Sequence, residues 1–258
     1  MGRSLQHAAM ALPKGYLWGL TLSTAGASTT FSVAAGECTD STNADWLSIG
    51  AISKTTSAWV VGSTNGGLDT GSIAASTWYH VYLMKRPDTG VVDVMFTTNA
   101  NYTTAAGNIP GPYTLFKRIG SLRTNGSSQW ALFKQLGDEF LWDVDDAGGS
   151  AFLTGTIGTT ASLVTATVPT GIQVQALIRG QHIAPSASSY MLLSSPDQSD
   201  QSAASALSTA AATTGAYGSG EFSVRTNTSG QIRARANIAA TTVYGTTRGW
   251  VDTRGKLY

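Results

Sequence analysis

Residues 78–96 constrain the fold more than any other stretch of this chain: Trp78-Tyr-His-Val-Tyr-Leu-Met-Lys-Arg-Pro-Asp-Thr-Gly-Val-Val-Asp-Val-Met-Phe96. Two apolar runs flank a Pro87-Asp-Thr-Gly90 turn, a local signature of a β-hairpin. Pro87 presets φ, Asp88 can bond its own backbone, and Gly90 accepts a left-handed conformation. A three-residue loop of Asp88, Thr89 and Gly90 sets Lys85 opposite Asp93. It also places Tyr82 and Met84 beside Phe96 and Val94 on the other face. A four-residue loop would oppose Met84 to Asp93, a poorer pair, so the expected register is the shorter one.

The rest of the chain follows the same grammar. Short apolar or alternating runs at 16–22, 30–33, 46–52, 59–61, 114–122, 130–133 and 140–144 alternate with Gly- and Asn-rich turns. Asn125-Gly126 is a type I′ turn signal. Downstream, 172–178 and 231–238 alternate apolar with polar, which predicts half-buried strands with Ile232, Ala234, Ala236 and Ile238 inward. Asn227-Thr-Ser-Gly230 reads as a hairpin turn between two such strands. The tract 198–214 reads as a long loop or one short helix, and no long amphipathic helix is evident. This pattern predicts an all-β chain of two β-sandwich or jelly-roll-like domains. The expected division is an N-terminal arm at 1–12, a first domain at 13–145 and a second at 146–258.

Only 12% of the 258 residues are charged and 42% are hydrophobic, against about 25% charged in an average domain. Small neutral residues suit tight turns and surfaces that meet copies of themselves, where charge is costly to desolvate. A formal net charge of +1 gives no electrostatic reason for a nucleic-acid or acidic-membrane partner. The single cysteine, Cys38, excludes an intrachain disulfide framework. No stretch reaches the length of a membrane-spanning helix. The first twelve residues lack a continuous apolar segment and read as a docking arm, not a signal peptide. Met1, Arg3, Leu5, His7, Met10 and Leu12 are its candidate docking residues.

Apparent chemical motifs have ordinary structural readings. Asp-Thr-Gly occurs at Asp69-Thr-Gly71 and Asp88-Thr-Gly90, and aspartic proteases carry this triplet because two carboxylates share one proton. Here the copies lie too close for a duplicated lobe, and both read as turns. Asp138, Glu139, Asp143, Asp145 and Asp146 form an acidic cluster, but its spacing fails an EF-hand and reads as a boundary turn. His7, His80 and His182 show no zinc spacing. Cys38 has no cationic sequence neighbour to activate it. Arg233, Arg235, Arg248 and Arg254 read as a solvent face. Trp46, Trp59, Trp78, Trp130, Trp142 and Trp250 read as core. Tyr102, Tyr113 and Tyr217 fall in loop-like stretches and are the candidate glycan or receptor contacts. No catalytic residue, metal or cofactor is implied.

Several segments, in order along nearly the whole chain, resemble phage and prophage virion proteins of the tail-fibre or tail-tip type. They are Leu12-Pro-Lys-Gly-Tyr-Leu-Trp-Gly-Leu-Thr-Leu22, Asn65-Gly-Gly-Leu-Asp-Thr-Gly71, Arg86-Pro-Asp-Thr-Gly-Val-Val-Asp93 and Lys117-Arg-Ile-Gly-Ser121. In the second half they are Leu192-Leu-Ser-Ser-Pro-Asp-Gln198, Val224-Arg-Thr-Asn227 and Gly249-Trp-Val-Asp-Thr-Arg-Gly255. The resemblance implies a non-enzymatic virion-surface protein, made in the host cytoplasm and released by lysis. Its expected partners are other virion proteins, copies of itself (a trimer is favoured) and a host-surface glycan. The alternatives are a purely architectural head or tail decoration protein and a glycan-degrading tail-spike enzyme.

Overall fold

A computed structural model describes residues 13–103, 107–186, 188–213 and 215–256. Met1, Arg3, Leu5, His7, Met10 and Leu12 lie outside the described residues.

The described chain is almost entirely β. Its first ten strands are β1 (Leu17–Gly19), β2 (Leu22–Thr24), β3 (Thr30–Val33), β4 (Gly36–Thr39), β5 (Trp46–Ile49), β6 (Ile52–Ala58), β7 (Gly66–Leu68), β8 (Trp78–Lys85), β9 (Val92–Thr97) and β10 (Leu115–Arg123). Next come β11 (Phe133–Leu136), β12 (Glu139–Trp142), β13 (Leu153–Ile157), β14 (Ser162–Thr165) and β15 (Gln175–Ile183). The last five are β16 (Ser189–Ser194), β17 (Ala210–Ala212), β18 (Tyr217–Arg225), β19 (Gln231–Ala236) and β20 (Thr241–Val251).

Two pairs of sheets result. A seven-stranded sheet, β10-β8-β9-β7-β6-β3-β2, packs beneath a three-stranded sheet, β1-β4-β5, whose β5 lies against β8 and β9. Leu47 and Cys38 from the small sheet meet Leu83, Val94 and Ile119 from the large one in the core. In the C-terminal half, β11-β12-β20-β15-β18, with β13 also on β20, faces the four-stranded β14-β19-β16-β17. Ala176, Ile178, Val224 and Val243 of the larger sheet are buried with Met191, Leu193, Ile232, Ala234 and Ala236 of the smaller. Strand β19 buries every second residue, as its alternation predicts.

The hairpin β8–β9 forms, but its register differs from the expected one. Met84 faces Asp93 and Lys85 faces Val92. The loop has four residues, 87–90, closed by the Arg86 N–H on the Val91 carbonyl (2.9 Å) and the Gly90 N–H on the Arg86 carbonyl (2.8 Å). Gly90 takes the left-handed φ of 72° that this turn needs. The deciding partner is distant in sequence. Asp93 is buried and accepts from Lys54 Nζ (2.9 Å) and the Gly62 N–H (3.0 Å), while Lys85 reaches Asp45 (2.6 Å). The four-residue loop gives Asp93 these donors, and an unpaired buried carboxylate would cost far more than an imperfect cross-strand pair. The same shift puts His80 and Asp93 on one face, where the shorter loop would have put them on opposite faces.

Asn227-Thr-Ser-Gly230 is a turn, but not a hairpin within a sheet. It carries the chain from β18 of one sheet to β19 of the facing one. Asn227 Oδ1 holds the N–H groups of Ser229 and Gln231 (3.0 and 2.9 Å), an Asx arrangement that serves a sheet-to-sheet corner equally well. The change of sheet also falls upstream of the boundary expected after Asp145. Strands β11 and β12 already belong to the C-terminal sheet, through the pairing of β12 with β20.

The two halves share one continuous core. Trp78 of β8 packs against Trp142 (5.7 Å between centroids) and Trp250 (5.2 Å), and Trp250 stacks on Phe140 (5.0 Å). Beside this stack the Asp252 carboxylate holds the Arg118 guanidinium through two hydrogen bonds of 2.6 and 2.7 Å. The start and end of the described chain also meet: a Cβ on Gly15 would stand 1.8 Å from the Lys256 carbonyl oxygen.

Candidate functional site

Two of the three tyrosines expected at a contact surface are inside the protein. Tyr102 and Tyr113 are 6% and 2% exposed, in a second apolar cluster with Trp59, Tyr82, Met84, Met95, Ile109 and Phe116. The segment after β9 folds back over the β8–β9–β10 face, because its own apolar residues cover side chains that would otherwise be wet. The Tyr82 hydroxyl donates to the Ala100 carbonyl (2.6 Å) and accepts the Tyr102 N–H (3.1 Å). Tyr113 meets the Trp59 ring edge-on at 5.3 Å. Polarity of the surrounding loop was the misleading signal. Tyr217, by contrast, is 64% exposed.

Tyr217 stands on the outer face of the β18–β15–β20 sheet, one outward position beyond Ser219, which lines an open groove on that face. The inner side chains of these strands, among them Ile178, His182, Val224 and Val243, enter the core. Period-two alternation then sends Arg179 and Gln181 of β15, Ser219 and Glu221 of β18, and Tyr244 and Thr246 of β20 outward. Gln181 lies between Ser219 and Tyr244 in register, and Arg179 between Glu221 and Thr246. These six residues line a groove of about 470 Å³, floored by the backbone of Gly180, Gly220 and Gly245. A Cβ on Gly180 or Gly220 would come within 3.0 or 2.9 Å of the Phe222 ring beneath the floor. Glycine there lets an aromatic ring support bare backbone from inside.

Charges on this face are mutually engaged. Arg179 reaches Asp145 (3.3 Å) and Glu221 (3.4 Å), Arg248 also binds Glu221, and the Thr246 hydroxyl donates to Asp145 (2.8 Å). Tyr244, 46% exposed, is unencumbered on the rim. The sequence reading missed Tyr244, Gln181, Arg179 and Glu221. The alternation at 172–178 marked β15 as half-buried, but which outward residues share a row depends on pairing with β18 and β20.

A second depression, of about 330 Å³, lies where the halves meet, with Tyr82, Tyr102, Lys117, Arg118, Gln173 and Thr228 among its walls. Its cations are already committed: Lys117 Nζ donates to the Gly255 carbonyl (2.5 Å), and Arg118 is clamped by Asp252. Burial alone would raise the Asp252 carboxyl, yet Arg118 and the Arg254 N–H hold it below its usual range. His80 Nδ1 bonds Ser121 Oγ (2.9 Å), and Arg118 donates to the same oxygen (3.3 Å). Burial, then the nearby Arg118 charge, push the imidazole down to about 4, so it is neutral in the fold. This constellation is a joint between halves.

The remaining motifs disperse. Asp69 is buried, which pushes its carboxyl above the usual range, whereas Asp88 is exposed and paired with Arg86 (2.8 Å). Asp138 binds Lys256 (2.7 Å) and Arg254 (3.3 Å). Among the described residues, no three of His, Cys, Asp and Glu converge as metal ligands. Arg233 and Arg235 clamp the loop at 196–201 through the carbonyls of Pro196, Gln198 and Gln201. The Cys38 thiol is fully buried, and burial raises it to about 12. No helix among the described residues is long and apolar enough to cross a membrane. No protein-family model and no curated protein matches the chain.

Proposed function

We propose that this is a non-enzymatic, bacteriophage-type virion-surface protein that adheres to host-surface glycan through the outer face of the β18–β15–β20 sheet. The observation that carries the adhesion reading is the exposure of two tyrosines on one sheet face, Tyr244 lining its groove and Tyr217 one outward position beyond it. Exposed tyrosines offer an apolar face and a polar tip at low entropy cost. The virion setting rests on the ordered resemblance to tail-fibre and tail-tip proteins. Residues 1–12 dock the protein on the particle, and copies associate, with a trimer favoured.

Purified protein is incubated with bacterial cells spanning a panel of surface-polysaccharide types, and bound protein is read by flow cytometry. Binding to a subset of cells, weakened by Tyr217→Ala with folding intact, is the expected result. Binding to no cell type by a protein that still joins particles would replace adhesion with pure decoration. Cleavage of the polysaccharide, lost on changing Asp138, Glu139 or Asp143, would instead establish a tail-spike enzyme. Normal particle incorporation of a chain lacking residues 1–12 would overturn the docking role.

A further inference from the structure

We infer that the groove takes an uncharged saccharide, laid diagonally across three strands from Tyr217 to Tyr244; this rests on the adhesion reading above. Three observations select the ligand class. The first is spacing. Tyr217 aligns with Ile183 and Thr242, whereas Tyr244 aligns with Gln181 and Ser219, two residues further along. Two strand spacings and two residue rises place the Tyr217 and Tyr244 Cα atoms about 12 Å apart. That separation matches a short oligosaccharide with one sugar face on each ring, running from Tyr217 into the groove of about 470 Å³ that Tyr244 lines.

Charge is the second. Arg179 and Arg248 are matched by Asp145 and Glu221, all four within one connected set of ion pairs. An acidic sugar would need an uncommitted cation, and binding one here would require breaking an existing pair. A neutral ligand leaves the set intact and meets a face without net charge.

The third is unengaged polarity between the tyrosines. The side chains of Gln181 and Ser219 make no hydrogen bond within the described residues, and both line the groove. An amide with two donors and an acceptor beside a hydroxyl complements vicinal sugar hydroxyls.

The test uses the purified full chain against neutral di- to tetrasaccharides of glucose, galactose and N-acetylglucosamine, with their uronic- and sialic-acid counterparts as comparison. Affinity is measured by calorimetry at low and high salt. Binding to one or more neutral probes, with affinity insensitive to salt, is expected. Tyr217→Ala and Tyr244→Ala should each weaken it about tenfold, the scale of one aromatic contact with its buried area. Gln181→Ala should weaken it several-fold, while Leu136→Ala, at the opposite edge of the sheet, should leave it unchanged. Because all are surface positions, melting temperatures confirm intact folding. Binding confined to acidic probes and weakened by salt would overturn the inference, as would neutral binding indifferent to both tyrosine changes. Cell binding that survives both tyrosine changes, with no neutral saccharide bound, overturns the groove and leaves adhesion standing. Absence of both cell and saccharide binding overturns the two together.

Discussion

Replacing Asp252 by Ala removes the counter-charge from Arg118 at the joint between the halves. Asp252 is 2% exposed and accepts two hydrogen bonds from the Arg118 guanidinium and one from the Arg254 N–H (2.8 Å), with the Arg118 ion pair at 2.6 Å. Breaking a buried pair by deleting one partner costs about 3–5 kcal/mol, because the remaining charge stays desolvated. A native state has only about 5–15 kcal/mol to lose. At about 2–4 °C per kcal/mol for a chain of this size, the melting temperature should fall roughly 6–20 °C. Differential scanning calorimetry gives the midpoint, and tryptophan fluorescence reports Trp78, Trp142 and Trp250 at the joint. Both should register one shared transition, since the halves share a core. The double change Arg118→Met with Asp252→Leu should recover most of the loss, as apolar pairs of similar volume replace buried ion pairs well. A loss under about 1 kcal/mol, the scale of an exposed pair, would refute the reasoning. So would two separate transitions in the native protein.

Two further outcomes follow from buried ionisable groups. Lys54→Met should cost about 3–5 kcal/mol in urea denaturation: burial already pushes the Lys54 ammonium down and the Asp93 carboxyl up, each against the other's opposite charge. Combining it with Asp93→Leu should cost less than the two single changes summed, which a double-mutant cycle reads directly. His80 gives an acid limb. Its folded value of about 4 lies below the unfolded 6.5, so the unfolded chain binds the extra proton between those values. Stability should therefore fall by about 3 kcal/mol as pH drops from 6.5 to 4 and be unaffected above. His80→Gln should flatten that limb in a pH series of denaturation midpoints, and an unchanged slope would refute the assignment.

Local chemistry was legible in the sequence, and pairing between distant segments was not. Alternation located β15 and β19, and the Pro87-Asp-Thr-Gly90 turn located the hairpin, because both signals lie within a few residues. The hairpin register escaped because Lys54, which satisfies Asp93, is 39 residues away. The corner at Asn227 looked like a hairpin because an Asx turn is silent about which sheet the next strand joins. Tyr102 and Tyr113 looked wet because loop composition hides folding back over an apolar face. Tyr217 was read as lying in a loop-like stretch but begins β18, and Tyr244 and Gln181 come onto its face only through cross-strand register.

The meeting of Gly15 with Lys256 bears on geometry of presentation. From the groove at Gly245 to the end of β20 is six residues, or about 20 Å of strand. An anchor fixed at either end of the described chain thus holds the protein by one point, with the Tyr217–Tyr244 diagonal a fixed step away. Copies held in that way on a common support would set their grooves at one distance from it, and the core shared by the two halves holds that distance within each copy. Weak single contacts would then add through effective concentration, so that grip would be set by the number of copies in step more than by the fit of one sugar.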